Sequence, residues 1–174
     1  MALILNIETA TKNCSVSLAL NGETLACKEI AEQGYSHAEK LHVFIAEIIK
    51  EAGILMSDLK AIAVSHGPGS YTGLRVGLSA AKGICYANQI PLICINTLEW
   101  IAFGNRDLAK DLIVPMIDAR RMEVYGAVYD PSCKAIVQEQ AMILDQTKWN
   151  SLIDRPTLCI GNGLAKTKDF TALM

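Results

Sequence analysis

Leu3-Ile-Leu-Asn-Ile-Glu-Thr-Ala-Thr-Lys-Asn-Cys-Ser-Val-Ser-Leu-Ala-Leu20, with Asn21-Gly22 directly behind it, decides the fold class of this 174-residue chain. Leu3 to Glu8 is a short apolar run, read as a buried strand. Cys14, Val16, Leu18 and Leu20 alternate with Ser15, Ser17 and Ala19, the period of two that a strand requires. Asn21-Gly22 is a strong hairpin signal because both residues accept positive φ. Glu23 to Ala31 is then the return strand, so three antiparallel strands open the chain.

The periodicity changes beyond this meander. Ser36-His-Ala-Glu39 has the form of a capping box. Leu41, Phe44, Ile45, Ile48, Ile49 and Ala52 follow at helical spacing and Gly53 ends the run, with Lys40, Glu47, Lys50 and Glu51 on the opposite face. Ala61 to Ser65 reads as a short strand. The glycine-rich loop Gly67-Pro-Gly-Ser-Tyr-Thr-Gly73 leads into a second helix from Thr72 to Ala87. Pro91 to Ile95 is another buried strand, and Asn96-Thr-Leu-Glu99 caps a helix through Phe103. The order βββαβαβ predicts a mixed sheet with helices on its faces.

The polar stretch 104–111 marks a boundary, dividing the chain into 1–103 and 104–174. The opening pattern then recurs: a strand Leu112 to Ile117, a turn Asp118-Ala-Arg-Arg121, a strand Met122 to Tyr129, a turn at Pro131-Ser132 and a strand Lys134 to Ile143. A helix Asp145 to Ile153 and a strand Thr157 to Ile160 follow, then Gly161-Asn-Gly163 and a tail from Leu164 that could start another helix. Each meander carries an acid at the end of its first strand, Glu8 and Asp118.

Half of the residues are hydrophobic (51%) and a fifth are charged (20%), which gives a globular chain enough apolar material for a core. A net charge of −2 gives no bulk attraction for nucleic acid, so any RNA must be held by something else. The six cysteines form no C-x-x-C pair and sit in apolar runs, as buried thiols of a reducing compartment do. No basic segment precedes the first apolar stretch, and no apolar run reaches the ~20 residues a membrane span needs. These features predict a soluble, cytoplasmic protein without membrane contact.

Three segments carry a family resemblance: Ile7-Glu-Thr-Ala-Thr-Lys-Asn-Cys-Ser-Val-Ser17, Ile117-Asp-Ala-Arg-Arg-Met-Glu-Val-Tyr125 and, most specific, His66-Gly-Pro-Gly-Ser-Tyr-Thr-Gly-Leu-Arg-Val-Gly-Leu-Ser-Ala-Ala-Lys-Gly83. Taken in chain order they resemble the TsaB (YeaZ) family, also labelled glycoprotease or M22 peptidase homologue. The resemblance implies a duplicated actin/Hsp70-like (ribonuclease H-like) α/β fold, with a second domain that is incomplete here and lacks a closing helix. It implies a non-catalytic scaffold in the synthesis of N6-threonylcarbamoyladenosine in tRNA. On that reading the chain forms a heterodimer with a TsaD homologue, is joined by the TsaE ATPase, and meets tRNA only indirectly. It could form a homodimer when free, and ATP or ADP with Mg could sit at the partner interface.

The same superfamily places an acid for Mg²⁺ and hydroxyls for phosphate in the loops that follow each opening strand. Here those positions are Glu8, Thr9 and Thr11 in one half and Asp118 in the other, with Gly161 and Gly163 where an adenosine loop would lie. Both loops after the acids lack glycine, whose missing Cβ lets backbone approach phosphate. A residual nucleotide contact and an ordinary Thr-rich turn therefore both stand for the first loop. Arg120 or Arg121 could meet an anionic ligand, a partner carboxylate or a surface acid.

The loop at Gly67 fits neither G-x-G-x-x-G nor a P-loop, because no Gly-Lys-[Ser/Thr] follows. Gly73, Gly77 and Ala81 lie four residues apart, and Ser79, Gly83 and Ala87 make a second small row. Glycine inside a helix costs roughly 1 kcal/mol relative to Ala, so close approach by another element must offset it. That element is either part of the same domain or a partner. On the family reading the two helices face the partner, with Leu41, Phe44, Ile45, Ile48, Gly73, Leu74, Arg75, Gly77, Leu78 and Ala81 as interface candidates.

No catalytic residue is expected. His37 and His42 are five residues apart and diverge by about 140° on a helix, so they do not make the His-x-x-x-His pair a metal needs. Ser70 directly follows Gly69, which is not a nucleophile elbow. The alternatives are an ATP-dependent small-molecule kinase or ATPase of the same superfamily and, last, a metallopeptidase.

Overall fold

The computed structural model describes residues 2–31, 37–152 and 155–168. Its elements are β1 (Leu3–Glu8), β2 (Cys14–Leu20), β3 (Glu23–Ile30), α1 (His37–Glu51), β4 (Ala61–Gly67), α2 (Tyr71–Asn88) and β5 (Leu92–Asn96). They continue with α3 (Thr97–Gly104), β6 (Leu112–Asp118), β7 (Glu123–Tyr129), β8 (Ala135–Ile143), α4 (Gln146–Leu152) and β9 (Thr157–Ile160), then a 3-10 turn Asn162–Thr167. The expected order of elements is present. The tail from Leu164, which could start another helix, begins within the 3-10 turn, and its residues after Lys168 lie outside the described residues. Ser36 of the capping box and Ile153 lie outside the described residues.

The chain forms two units, Met1–Ile95 and Asn96–Met174. The division falls before the boundary expected at 103/104, so α3 belongs to the second unit. The reason is packing: Leu98 and Ala102 of α3 are buried against Ile113, Ile117, Ala127 and Tyr129. Asn96 starts α3 as N-cap, its side-chain oxygen accepting from the N–H groups of Leu98 and Glu99.

In the first unit the strand order is β3-β2-β1-β4-β5. β5, expected as a buried strand, is an edge strand of this sheet, and Ile93, Cys94 and Ile95 are exposed. β1 pairs antiparallel with β2 and parallel with β4, Ile7 lying opposite Val16 on one side and Val64 on the other. Leu5, Ile7, Val16 and Leu18 meet Leu41, Ile45 and Ile48 of α1 and Ala80, Ala81 and Cys85 of α2 in one core. Each fully buried Leu or Ile there contributes about 1.5–3 kcal/mol relative to exposure. The Asn21-Gly22 turn uses left-handed backbone at both residues, φ 52° and 93°.

In the second unit the order is β8-β7-β6-β9, with β6 antiparallel to β7 and parallel to β9. This repeats the β3-β2-β1-β4 arrangement. Leu112, Val114 and Met116 of β6 pack on Trp149 and Leu152 of α4, whereas Ile113 and Ile117 pack on α3. A strand covered on both faces reads as a continuous apolar run, which is why 112–117 shows no alternation. The two sheets with their flanking helices form the mixed, duplicated actin/Hsp70-like α/β architecture.

Candidate functional site

The loop after β1 is closed from within the first unit. Glu8 Oε1 accepts from the Ala10 N–H at 2.6 Å, and Glu8 Oε2 accepts from the Ser65 hydroxyl of β4. The Thr9 hydroxyl donates to the Gly73 carbonyl at 2.8 Å, and the Ser70 N–H donates to the Ala10 carbonyl at 2.6 Å. Ser70 also N-caps α2, its hydroxyl accepting from the Gly73 N–H. The glycines of the segment 69–77 fit against this loop. A Cβ on Gly69 would lie 2.3 Å from the Ala10 carbonyl oxygen, one on Gly73 2.1 Å from the Thr9 carbonyl oxygen, and one on Gly77 2.3 Å from the Thr9 hydroxyl.

These contacts correct several expectations. Thr9 is fully buried and its hydroxyl is spent on Gly73, so it does not face a nucleotide. Thr11 Oγ1 accepts from the Asn13 N–H, a local turn bond. Gly73, Gly77 and Ala81 are buried inside the unit, so the first small-residue row is not an outward face. Leu41, Ile45 and Ile48 are likewise core residues and not interface anchors, because the sheet of the same unit covers them. Phe44, Leu74 and Leu78 are half-buried, and Arg75 is exposed.

The second unit repeats the closed loop. Asp118 Oδ1 accepts from the Arg120 N–H at 2.6 Å and pairs with the Lys166 ammonium at 2.6 Å. Asn162 Oδ1 accepts from the Asp118 N–H at 2.8 Å. Gly161 presses against β6 and Gly163 against β6 and β7: a Cβ on Gly161 would lie 2.2 Å from the Met116 carbonyl oxygen, and one on Gly163 2.9 Å from Val124 Cγ1 and 3.0 Å from Met116 Cβ. Their missing side chains are thus explained by close packing on β6 and β7. Arg120 and Arg121 are exposed and hold left-handed backbone, φ 68° and 46°. Among the described residues no cluster of three or more His, Cys, Asp or Glu side chains is placed to hold a metal.

An open feature of the first unit is a groove of about 670 Å³ between α1 and α2. Ala38 and His42 of α1 form one wall, and Arg75, Val76, Ser79, Ala80, Gly83 and Ile84 of α2 form the other. The rows 75/79/83 and 76/80/84 each follow the spacing of four, the ridge pattern of helix packing. Nothing lies within 4 Å of the place a Gly83 Cβ would take. Tyr86, 91% exposed, projects on the same side as Arg75 and Ser79 by helical spacing. The Arg75 guanidinium sits 4.1 Å from the centre of the Tyr71 ring. The residues that sequence reasoning missed are Tyr71, Tyr86, His42 and Val76; the one signal pointing to them was the second small row, Ser79, Gly83 and Ala87.

Among the described residues no helix is long and apolar enough to cross a membrane. A family model described as "TsaD: tRNA N6-adenosine threonylcarbamoyltransferase" matches residues 29–155. The "tRNA threonylcarbamoyladenosine biosynthesis protein TsaB" of Escherichia coli (strain K12) is 35% identical over 72% of this chain and 54% of the relative. The protein of the same name from Bacillus subtilis (strain 168) is 30% identical over 91% of this chain and 70% of the relative. The chain thus spans about half the length of the Escherichia coli relative. A solved structure, "YeaZ from Pseudomonas aeruginosa", superposes with a TM-score of 0.77 at 25% identity, covering 98% of this chain and 81% of that one. With the segments at Ile7, His66 and Ile117 set in this duplicated fold, the chain belongs to the TsaB (YeaZ) family.

Proposed function

We propose that this chain is a non-catalytic partner subunit in the synthesis of N6-threonylcarbamoyladenosine in tRNA, docking through α1 and α2 onto a TsaD-type transferase. The relatives named for that biosynthesis supply the pathway. The groove between α1 and α2 carries the docking reading, because Ser79 and Gly83 leave room for a partner helix to approach closely. The closed loops favour a supporting role over a chemical one. The side chains at Thr9 and Asp118 that a nucleotide would use are engaged within their own units. With a net charge of −2, the chain meets tRNA through the partner, and the TsaE ATPase joins the pair.

The test is sizing and pull-down of the chain with the TsaD homologue of the same source. The expected result is a 1:1 complex at micromolar concentration that Gly83→Trp disrupts. Absence of a complex overturns the docking reading. Turnover of ATP by the purified chain, abolished by Glu8→Ala or Asp118→Ala, would instead support a kinase or ATPase.

A further inference from the structure

The charge of the groove says what kind of helix fits it. Helix α2 carries Arg75 and Lys82, both exposed, and no Asp or Glu along its whole length. The groove wall contributed by α1 adds His42 and no acid. Of the three α1 acids, Glu47 and Glu51 are drawn to the other side, where both pair with Lys28 of β3 at 3.1 and 2.7 Å, and Glu39 in the first turn is not part of the groove lining. Among the described residues neither Arg75 nor Lys82 has a carboxylate partner. Yet Arg75 is placed: its guanidinium stacks on the Tyr71 ring one helical turn back, which leaves its N–H edge free for a planar acceptor.

Resting on the docking reading above, we infer that Arg75 selects the occupant of the groove, a partner helix that lays small or apolar residues over Ser79 and Gly83 and sets an Asp or Glu carboxylate against the guanidinium. A stacked guanidinium meets a carboxylate through two parallel N–H···O bonds, a geometry that a lysine does not reproduce. A second copy of this chain is the poorer occupant. Its α2 brings the same two cations and no acid, and like charges brought together at an interface are costly. Selection of the heterologous partner over self is therefore built into the charge pattern of α2.

The experiment titrates the chain against the TsaD homologue and, separately, measures self-association by sedimentation. The variants are Arg75→Glu, Arg75→Lys, Ser79→Trp and Gly83→Trp, each checked for an unchanged melting curve. Arg75→Glu is expected to raise the Kd at least about tenfold and Arg75→Lys by less, with binding of the wild type weakening as salt rises. Replacing the facing partner carboxylate by Lys is expected to restore binding to Arg75→Glu. If both Trp variants abolish binding while Arg75→Glu binds like wild type, selection by charge is overturned and docking stands. If neither Trp variant affects binding, the docking reading itself fails. If Arg75→Glu changes self-association alone, the occupant is a second copy and the inference is overturned.

Discussion

The Thr9 hydroxyl and the Gly73 carbonyl, 64 residues apart in sequence, are joined by a buried hydrogen bond of 2.8 Å. That bond pins the loop after β1 to the first turn of α2 and turns the row Gly73, Gly77, Ala81 inward. Thr9→Val keeps the shape and removes the donor. The expected loss is about 1 kcal/mol of stability, read from urea denaturation. An unchanged midpoint would remove the bond from the account of how α2 is oriented.

Two glycines of one helix should respond in opposite directions. Gly73→Ala drives a Cβ to 2.1 Å from the Thr9 carbonyl oxygen, a backbone atom that cannot step aside, and should cost about 1–3 kcal/mol or more. Gly83→Ala meets nothing within 4 Å and should raise stability by about 0.5–1 kcal/mol through helix propensity. Melting temperatures of the two variants decide it, and equal shifts would contradict the assignment of the two rows.

Removing the N-cap of α3 should be measurable as well. Asn96→Ala deprives the Leu98 and Glu99 N–H groups of their acceptor and frees the Glu139 carboxylate that its amide reaches. The expected cost is about 1 kcal/mol by thermal melting, with Asn96→Ser or Asn96→Asp recovering most of it.

Alkaline pH should unfold the second unit in a defined window. Burial, then the charges of Glu99, Glu139 and Cys133, push the Tyr129 hydroxyl up to about 12. The folded protein thus holds that proton more tightly than the unfolded chain, whose tyrosine ionises at about 10. The resulting stability is complete below pH ~10 and is lost as the pH rises towards about 12. Tyr129→Phe should flatten the stability profile over that range.

Thiol labelling should sort the cysteines by environment. Cys94 and Cys27 are exposed, whereas Cys14 and Cys85 are buried and burial pushes their thiols up. Burial also raises Cys159, to about 11. Mass spectrometry after native alkylation should find Cys94 modified first and Cys14, Cys85 and Cys159 protected until denaturant is added. Early labelling of Cys14 would show that the core of the first unit opens.

The β1-β2-β3 meander, the Asn21-Gly22 hairpin, the cap at Asn96 and the mixed order of strands and helices were legible in the sequence alone. Each depends on local physics: a period of two, a left-handed turn, a side chain accepting from the N–H groups two and three residues on. The facing of α2 was not legible, and it determines the candidate site. Both of its small rows, 73/77/81 and 79/83/87, bury little apolar area, so periodicity gives neither a preference for the core. Only the arrival of the Thr9 loop, from a strand far away in sequence, turns the first row inward and leaves the second row, with Arg75 and Tyr86, facing the solvent.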